Sequence, residues 1–322
     1  MEKKVWVLID DRAGSNSQAR GVAKILGWPA EEKQIVYNGW AKLPNFLKGA
    51  TLVGVKAESR QNLQQPYPDL VISASRRTAS VARWIKRKSA GKTKIVQLMH
   101  PGNAGLAEFD RVFIPEHDQG KKMGKNVQKV IGCAHKITPD FLADAKEKWQ
   151  QAFAALPQPR TAVIVGGAIK SSPFSMENAL ALAEKIKSYK QKYGGSILIT
   201  TSRRTGLAAQ EKIMRELKDF PAYTYLWGVD KGDNPYGGYL ACADDIIVTG
   251  DSVSMCCEAC GTGKKVLVFQ GKNWLTPKHK RFIASLFNNG YAFPLEDEYD
   301  YDGDFERYNP ADIIAAEIKK IF

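Results

Sequence analysis

The chain of 322 residues has room for about two domains at ~150 residues each. Its 44% apolar and 25% charged residues are enough to build folded cores, which excludes a disordered tail or a coiled coil. The net charge of +13 is lopsided: 26 basic and 14 acidic residues up to Pro157, against 21 and 20 from Gln158 onward, so an anionic partner is expected for the first half.

Val5–Ile9 is the first strand-like run. It is too short for a signal-peptide core, and no apolar run approaches the ~18 residues of a membrane span, which together predict a cytoplasmic protein. A helical pattern follows over Ser17–Leu26, then strands at Leu70–Ser73, Lys94–Leu98 and Arg111–Ile114, with a helix over Thr78–Lys88 between the first two. A helix expected over Phe141–Ala154 is broken by Leu156-Pro-Gln-Pro159, and a fresh strand, Ala162–Val165, begins behind it. Helix Ser175–Tyr189, strand Ser196–Thr200, helix Thr205–Leu217 and strands Ile246–Thr249 and Val266–Phe269 continue the alternation. A last helix, Ala311–Phe322, starts behind Asn309-Pro310. Strand and helix in alternation mean parallel sheets covered by helices. The expected fold is α/β, with two Rossmann-like domains: residues 1–157 joined by the terminal helix 309–322, and residues 158–308.

Two clusters carry little chemistry. The five cysteines are odd in number, and Cys257-Glu-Ala-Cys260 lies within a helical stretch without a second pair, so it reads as helix filling. The acidic residues Asp297, Glu298, Asp300, Asp302 and Asp304 lack calcium-loop spacing and read as a solvated loop, so no metal site is expected.

An internal echo is more informative. Ser75-Arg76-Arg77-Thr78 and Ser202-Arg203-Arg204-Thr205 each end a strand and open a helix. Free backbone N–H groups, a positive dipole end and two forked cations make such a corner suited to an anion, phosphates above all. The second half opens with Gly166-Gly167 followed by Lys170, Ser171 and Ser172, a strand-to-helix turn where backbone can approach a ligand and the side chains can bind oxygen anions. It matches neither the Walker loop nor the dinucleotide glycine fingerprint. Further on, a strand ends at Asp251, a short helix starts near Ser252, and one carboxylate, Glu258, sits inside it. A carboxylate so placed can accept both hydroxyls of a ribose, while the helix start faces a diphosphate.

This last pattern resembles the donor half of GT-B glycosyltransferases, which hold a nucleotide-sugar between two Rossmann-like domains facing a central cleft. Nearly the whole chain resembles the mitochondrial-fission, or elongated-mitochondria, family and its bacterial relatives, described as glycosyltransferases. The likeness runs through Asp11-Arg-Ala-Gly14-Ser-Asn-Ser-Gln18, Ser75-Arg-Arg-Thr78, His100-Pro-Gly102, Gly166-Gly167, Thr201-Ser-Arg-Arg-Thr205 and Asp251-Ser-Val-Ser-Met255-x-x-Glu258. It implies transfer of a sugar from a nucleotide-sugar substrate, without metal or further cofactor, to a membrane-associated glycan or lipid of the envelope type; an epimerase of the same fold and a non-catalytic division module are the alternatives. Glu258 would hold the donor ribose. Gly166, Gly167, Ser202, Arg203 and the turn Asp251–Met255, with Ser252 and Ser254, would hold the diphosphate, helped by Lys170, Arg204, Thr205 and the serines. In the first domain Asp11 is the leading candidate for the catalytic base, with Asp10 and His100 beside it. Gly14, Gln18, Ser75, Arg76, Arg77 and Thr78 would bind the acceptor or an anion.

Between Arg76 and Lys94 there are eight basic residues and no acid, with Val81, Trp84 and Ile85 interleaved. Upstream, Trp40, Leu43, Phe46 and Leu47 accompany Lys42 and Lys48. Basic plus aromatic surface suits a peripheral protein on the anionic inner face of a membrane, or a lipid-linked acceptor. Nucleic acid is the disfavoured rival, because stacking aromatics among cations would look the same.

Overall fold

The computed structural model describes residues 2–118, 123–170, 172–296, 301 and 303–322. Ser171 and the acidic residues Asp297, Glu298, Asp300 and Asp302 lie outside them. The chain divides into two compact units, residues 1–136 with 309–322 and residues 137–308.

The first unit is built from β1 (Val5–Ile9), α1 (Ala13–Leu26), β2 (Ala30–Gln34), the short helices α2 (Asn45–Lys48) and α3 (Ala57–Gln61), β3 (Leu70–Ser73), α4 (Thr78–Lys88), β4 (Lys94–Leu98), β5 (Arg111–Pro115) and β6 (Val127–Val130). The strands form one parallel sheet in the order β2-β1-β3-β4-β5-β6. Residues alternate across β1, as the strand period of two requires. Val5, Val7 and Ile9 pack with α1 on one face, while Trp6 and Leu8 join Ala82 and Ile85 of α4 on the other.

The second unit contains α5 (Pro139–Trp149), β7 (Arg160–Val165), α6 (Met176–Tyr193), β8 (Ser196–Thr201), α7 (Leu207–Glu216), β9 (Ala222–Tyr225), α8 (Tyr236–Cys242), β10 (Asp245–Thr249), α9 (Val253–Cys260), β11 (Lys265–Phe269), α10 (Pro277–Asn288) and β12 (Phe293–Pro294). Its parallel sheet runs β12-β11-β10-β7-β8-β9. Helix starts follow sequence signals: Thr138 caps α5 with Pro139 behind it, and Ser175 caps α6. The chain then returns to the first unit as α11 (Pro310–Lys319), capped by Asn309, whose side-chain amide also donates to the His135 carbonyl at 3.0 Å. Ala311, Ile314, Ala315 and Ile318 close the core over α1.

The division between the units falls between Lys136 and Ile137, ahead of the Pro157 expected from the helix break. The reason is packing. Helix α5 lies on α8, where a Cβ on Gly238 would stand 2.4 Å from the Trp149 ring, so glycine permits the approach. The short 3₁₀ turn after α5 then buries Phe153 against Tyr223 and Tyr239. Cys256, Cys257 and Cys260 are buried on α9.

A second difference concerns the basic cluster. Although the stretch Arg76–Lys94 contains no acid, the fold brings Glu108 and Asp110 to it. Arg83 and Arg87 pair with Glu108, and Lys86 and Lys94 pair with Asp110. Arg83 is buried, and Trp84 packs against the core. Two carboxylates thus engage three of the four cations on the helix that looked like a free cationic face, and offset at most half of its charge.

Candidate functional site

In a doubly wound sheet the crevice outside the strand carboxyl ends opens where strand order reverses. In the second unit that point lies between β7 and β10, because the chain winds through β8 and β9 on one side and through β11 and β12 on the other. The loops leaving these two strands carry Gly166-Gly167 and Asp251.

The Asp251 side chain is fully buried and organises the crossing. It accepts from the Gly167 N–H at 2.9 Å and from Thr249 Oγ1 at 2.7 Å, and pairs with Arg204 at 2.7 Å. Burial pushes its carboxyl up, while Thr249, Arg204 and Gly167 pull against that rise. Arg204 also donates to the Ala168 carbonyl at 2.9 Å, and Ser202 and Thr205 both donate to the Gly166 carbonyl. A Cβ on Gly166 would stand 2.2 Å from the Asp251 carboxylate, and one on Gly167 2.1 Å from Arg204 backbone. Protein approaching protein is thus by itself enough to require glycine at both positions. Ser252 likewise spends its side chain on the Met255 N–H, as the α9 cap.

The expected donor residues thus fall into two sets. Gly166, Gly167, Ser202, Arg204, Thr205, Asp251 and Ser252 make a scaffold. Lys170, Arg203 and Ser254 are exposed, while Ser172 and Met255 are half-buried. Glu258, also half-buried, accepts from the Tyr236 hydroxyl at 2.5 Å, which fixes the carboxylate on its helix. Burial and the Glu258 charge hold the Tyr236 phenol well above its usual range, so it stays a donor. His279 went unnoticed in the sequence. It stands in the first turn of α10, its Nδ1 2.7 Å from Thr276 Oγ1, and it bonds the Asp251 backbone. Burial lowers its pKa. The signal was present, since Thr276-Pro277 marks a helix start one loop after an apolar strand.

The first unit repeats this design at its own reversal, between β1 and β3. Asp10, its side chain fully buried, accepts from Ser75 Oγ at 2.7 Å and the Arg12 N–H at 2.9 Å, with Arg77 at 3.5 Å. A carboxylate so enclosed holds the loop and offers no surface to a substrate, which corrects its candidacy as a base. Asp11 is exposed and pairs with Arg77. Ser75 and Thr78 bond each other as a turn and are buried. Gly14 lies in the first turn of α1, where a Cβ would meet nothing, and Gln18 reaches Met99 Sδ at 3.9 Å. His100 follows β4 directly behind Met99, whose φ of 84° is a strained value for a side-chain-bearing residue. Its Nδ1 accepts from the Gly102 N–H at 3.1 Å, and Asn45 ties the loop's Pro101 carbonyl to the Arg76 carbonyl. Asp11, Arg76, Arg77 and the His100 loop are so drawn to one edge.

The echo has a common logic. In each copy the second arginine is committed to an aspartate that follows another strand, Arg77 to Asp10 and Asp11 behind the adjacent β1, and Arg204 to Asp251 behind β10, on the far side of β7. The first arginine, Arg76 or Arg203, is exposed.

The profile of the family described as "Mitochondrial fission ELM1" matches residues 13–322. The chain belongs to this family. Relatives of this family member include "Uncharacterized protein RP120" of Rickettsia prowazekii, 31% identical with 98% of both chains covered. The "Mitochondrial fission protein ELM1" of Arabidopsis thaliana is 31% identical over 75% of this chain and 60% of its own length. Among solved structures, a UDP-GlcNAc 2-epimerase from Methanocaldococcus jannaschii has a TM-score of 0.54 at 13% identity, covering 98% of this chain and 99% of the other. A glycosyltransferase from Rickettsia africae has a TM-score of 0.50 at 12% identity, covering 99% and 88%. These likenesses bear out the fold class read from the sequence, that of GT-B glycosyltransferases and related epimerases. Among the described residues no helix is long and apolar enough to cross a membrane.

Proposed function

We propose that the protein is a glycosyltransferase. The second unit holds a nucleotide-sugar, and a membrane-associated glycan or lipid of the envelope or lipopolysaccharide type accepts the sugar. The carrying observation is the strand-order reversal of the second unit, where exposed Lys170 and Arg203 stand on a rigid Asp251-centred scaffold beside the α9 start, and Glu258 is set one helix turn further on. Cations and backbone N–H groups there stabilise the diphosphate as it leaves, and Glu258, oriented by Tyr236, takes the ribose hydroxyls. Deprotonation of the acceptor hydroxyl falls to the first unit, to exposed Asp11 or to His100. The reaction takes place on the cytoplasmic side of the membrane.

The test is a melting series with uridine, cytidine, guanosine and adenosine diphosphates. At least one is expected to raise the melting temperature, and Glu258→Ala to abolish that rise. If none of them stabilises the protein, the donor reading fails. The epimerase likeness at TM-score 0.54 favours a second reading. Isomerisation of a nucleotide-sugar in the absence of any acceptor would select it over transfer.

A further inference from the structure

A pocket of about 730 Å³ in the first unit lies beside the strand-order reversal, and it joins Asp11, Arg76 and Arg77 of the sequence motifs to a segment, residues 34–48, that carries none. The charged residues on its wall are Arg12, Lys42, Lys48, Arg76 and Arg77, against a single carboxylate, Asp11, which Arg77 already engages. Lys48 is the telling one. It is 5% exposed, and its ammonium has one bond, to the Ala41 carbonyl at a long 3.3 Å. No carboxylate among the described residues pairs with it. An ammonium withdrawn from water without a counter-charge is costly unless an anion meets it. Burial lowers its pKa, with no neighbouring charge opposing that. On the same wall the Tyr37 hydroxyl and Arg77 Nε are buried without a partner among the described residues, and the Arg77 guanidinium stacks 4.9 Å from the Tyr37 ring.

The segment that lines the pocket also carries exposed apolar side chains, and one of them, Trp40, lines an adjoining groove with Asn38, Lys42, Leu43 and Pro44. Trp40, Phe46 and Leu47 are 66%, 70% and 64% exposed on the segment that carries Lys42 and Lys48. A multiply charged anion fits the pocket, and forked arginines suit a phosphate. A phosphate alone gives the aromatic shelf no role, whereas an apolar chain attached to it would cover the shelf. We infer that this pocket binds the phosphate-bearing head of an anionic amphiphile, with Lys48 as its buried counter-charge and Trp40, Phe46 and Leu47 against the apolar part. Only in taking this amphiphile as the sugar acceptor does the inference rest on the transferase reading; the binding stands without it.

The test uses the full chain and three probes: inorganic pyrophosphate, phosphatidylcholine vesicles containing phosphatidic acid, and a single-stranded oligonucleotide. Lys48→Met keeps the buried stem and removes the charge. Pyrophosphate and phosphatidic acid vesicles are expected to bind, the vesicles at least tenfold tighter per phosphate, and Lys48→Met to weaken both at least tenfold. Trp40→Ser with Phe46→Ser should remove the vesicle advantage and leave pyrophosphate binding unchanged. Unaltered binding in a Lys48→Met protein that melts as the parent does overturns the site. Lys48-dependent binding of pyrophosphate with no vesicle advantage overturns the amphiphile, as does an oligonucleotide that outcompetes the vesicles. The nucleotide-induced melting shift, measured in parallel, reports on the second unit alone. Its presence in Lys48→Met separates failure here from failure of the donor reading.

Discussion

Arg203 and Arg204 are chemically alike and adjacent, yet the fold gives them different tasks. Arg204 neutralises a carboxylate with no exposure to water and pins the glycine loop through the Ala168 carbonyl. Removing it strips the buried Asp251 carboxyl of its counter-charge and one partner, and Arg204→Ala is expected to cost about 2–3 kcal/mol, at the low end for a buried pair because Arg204 itself is 35% exposed. Arg203→Ala removes a solvated side chain, so stability should stay within about 0.5 kcal/mol while the nucleoside diphosphate melting shift falls. Urea titration with and without nucleotide measures both effects. The reverse pattern, with Arg204 needed for binding and Arg203 for stability, would refute the assignment. Sequence reasoning could name these residues together because glycine pairs, doubled arginines and helix starts are local signals. It could not separate scaffold from contact: Asp251 and Arg204 are 47 residues apart, and only the fold shows that they meet.

Elements were legible in proportion to their burial. All eight strands read from the sequence lie in the two sheets, whereas the four that escaped, β2, β6, β9 and β12, are the edge strands. β2 reads Ala-Glu-Glu-Lys-Gln with four of its five residues exposed, so no apolar run announces it. Helix ends hold similar hidden partners. Lys264 reaches the final carbonyls around α8, Leu240 at 2.7 Å, Ala241 at 2.8 Å and Ala243 at 2.5 Å, and closes that helix end with a cation as its dipole favours. Burial nonetheless pushes its pKa down to about 8 from an ordinary 10.5. Between those values the unfolded chain binds more protons than the folded one, so this group makes stability rise as pH increases from about 8 toward 10.5. Urea midpoints at pH 7 and 9.5 should show a smaller upward contribution in Lys264→Met than in the parent. Parallel pH profiles in the two proteins would exclude a depressed Lys264.

At the scale of the whole chain, the position of the boundary decides how the charge is divided. Counted to Lys136 with the returning helix, the first unit has 26 basic and 13 acidic residues, and the second has 21 of each. The entire +13 belongs to the unit with the Lys48 pocket and the aromatic shelf. The same boundary makes a prediction about independent folding. Residues 137–308 retain α5 on α8 and the fully buried Phe153 between Tyr223 and Tyr239. A fragment cut at residue 158 lacks both. The missing phenylalanine alone removes about 3–5 kcal/mol, and α5 leaves the Gly237-Gly238 face of α8 open to water. Against a typical domain stability of about 5–15 kcal/mol, that loss leaves little margin. Residues 137–308 are therefore expected to melt cooperatively and keep the nucleotide response, and residues 158–308 to show weak, broad melting and to aggregate. Circular dichroism melts of the two fragments decide the matter. Equal, cooperative transitions would return the boundary to the proline break at Pro157 and demote α5 to a linker.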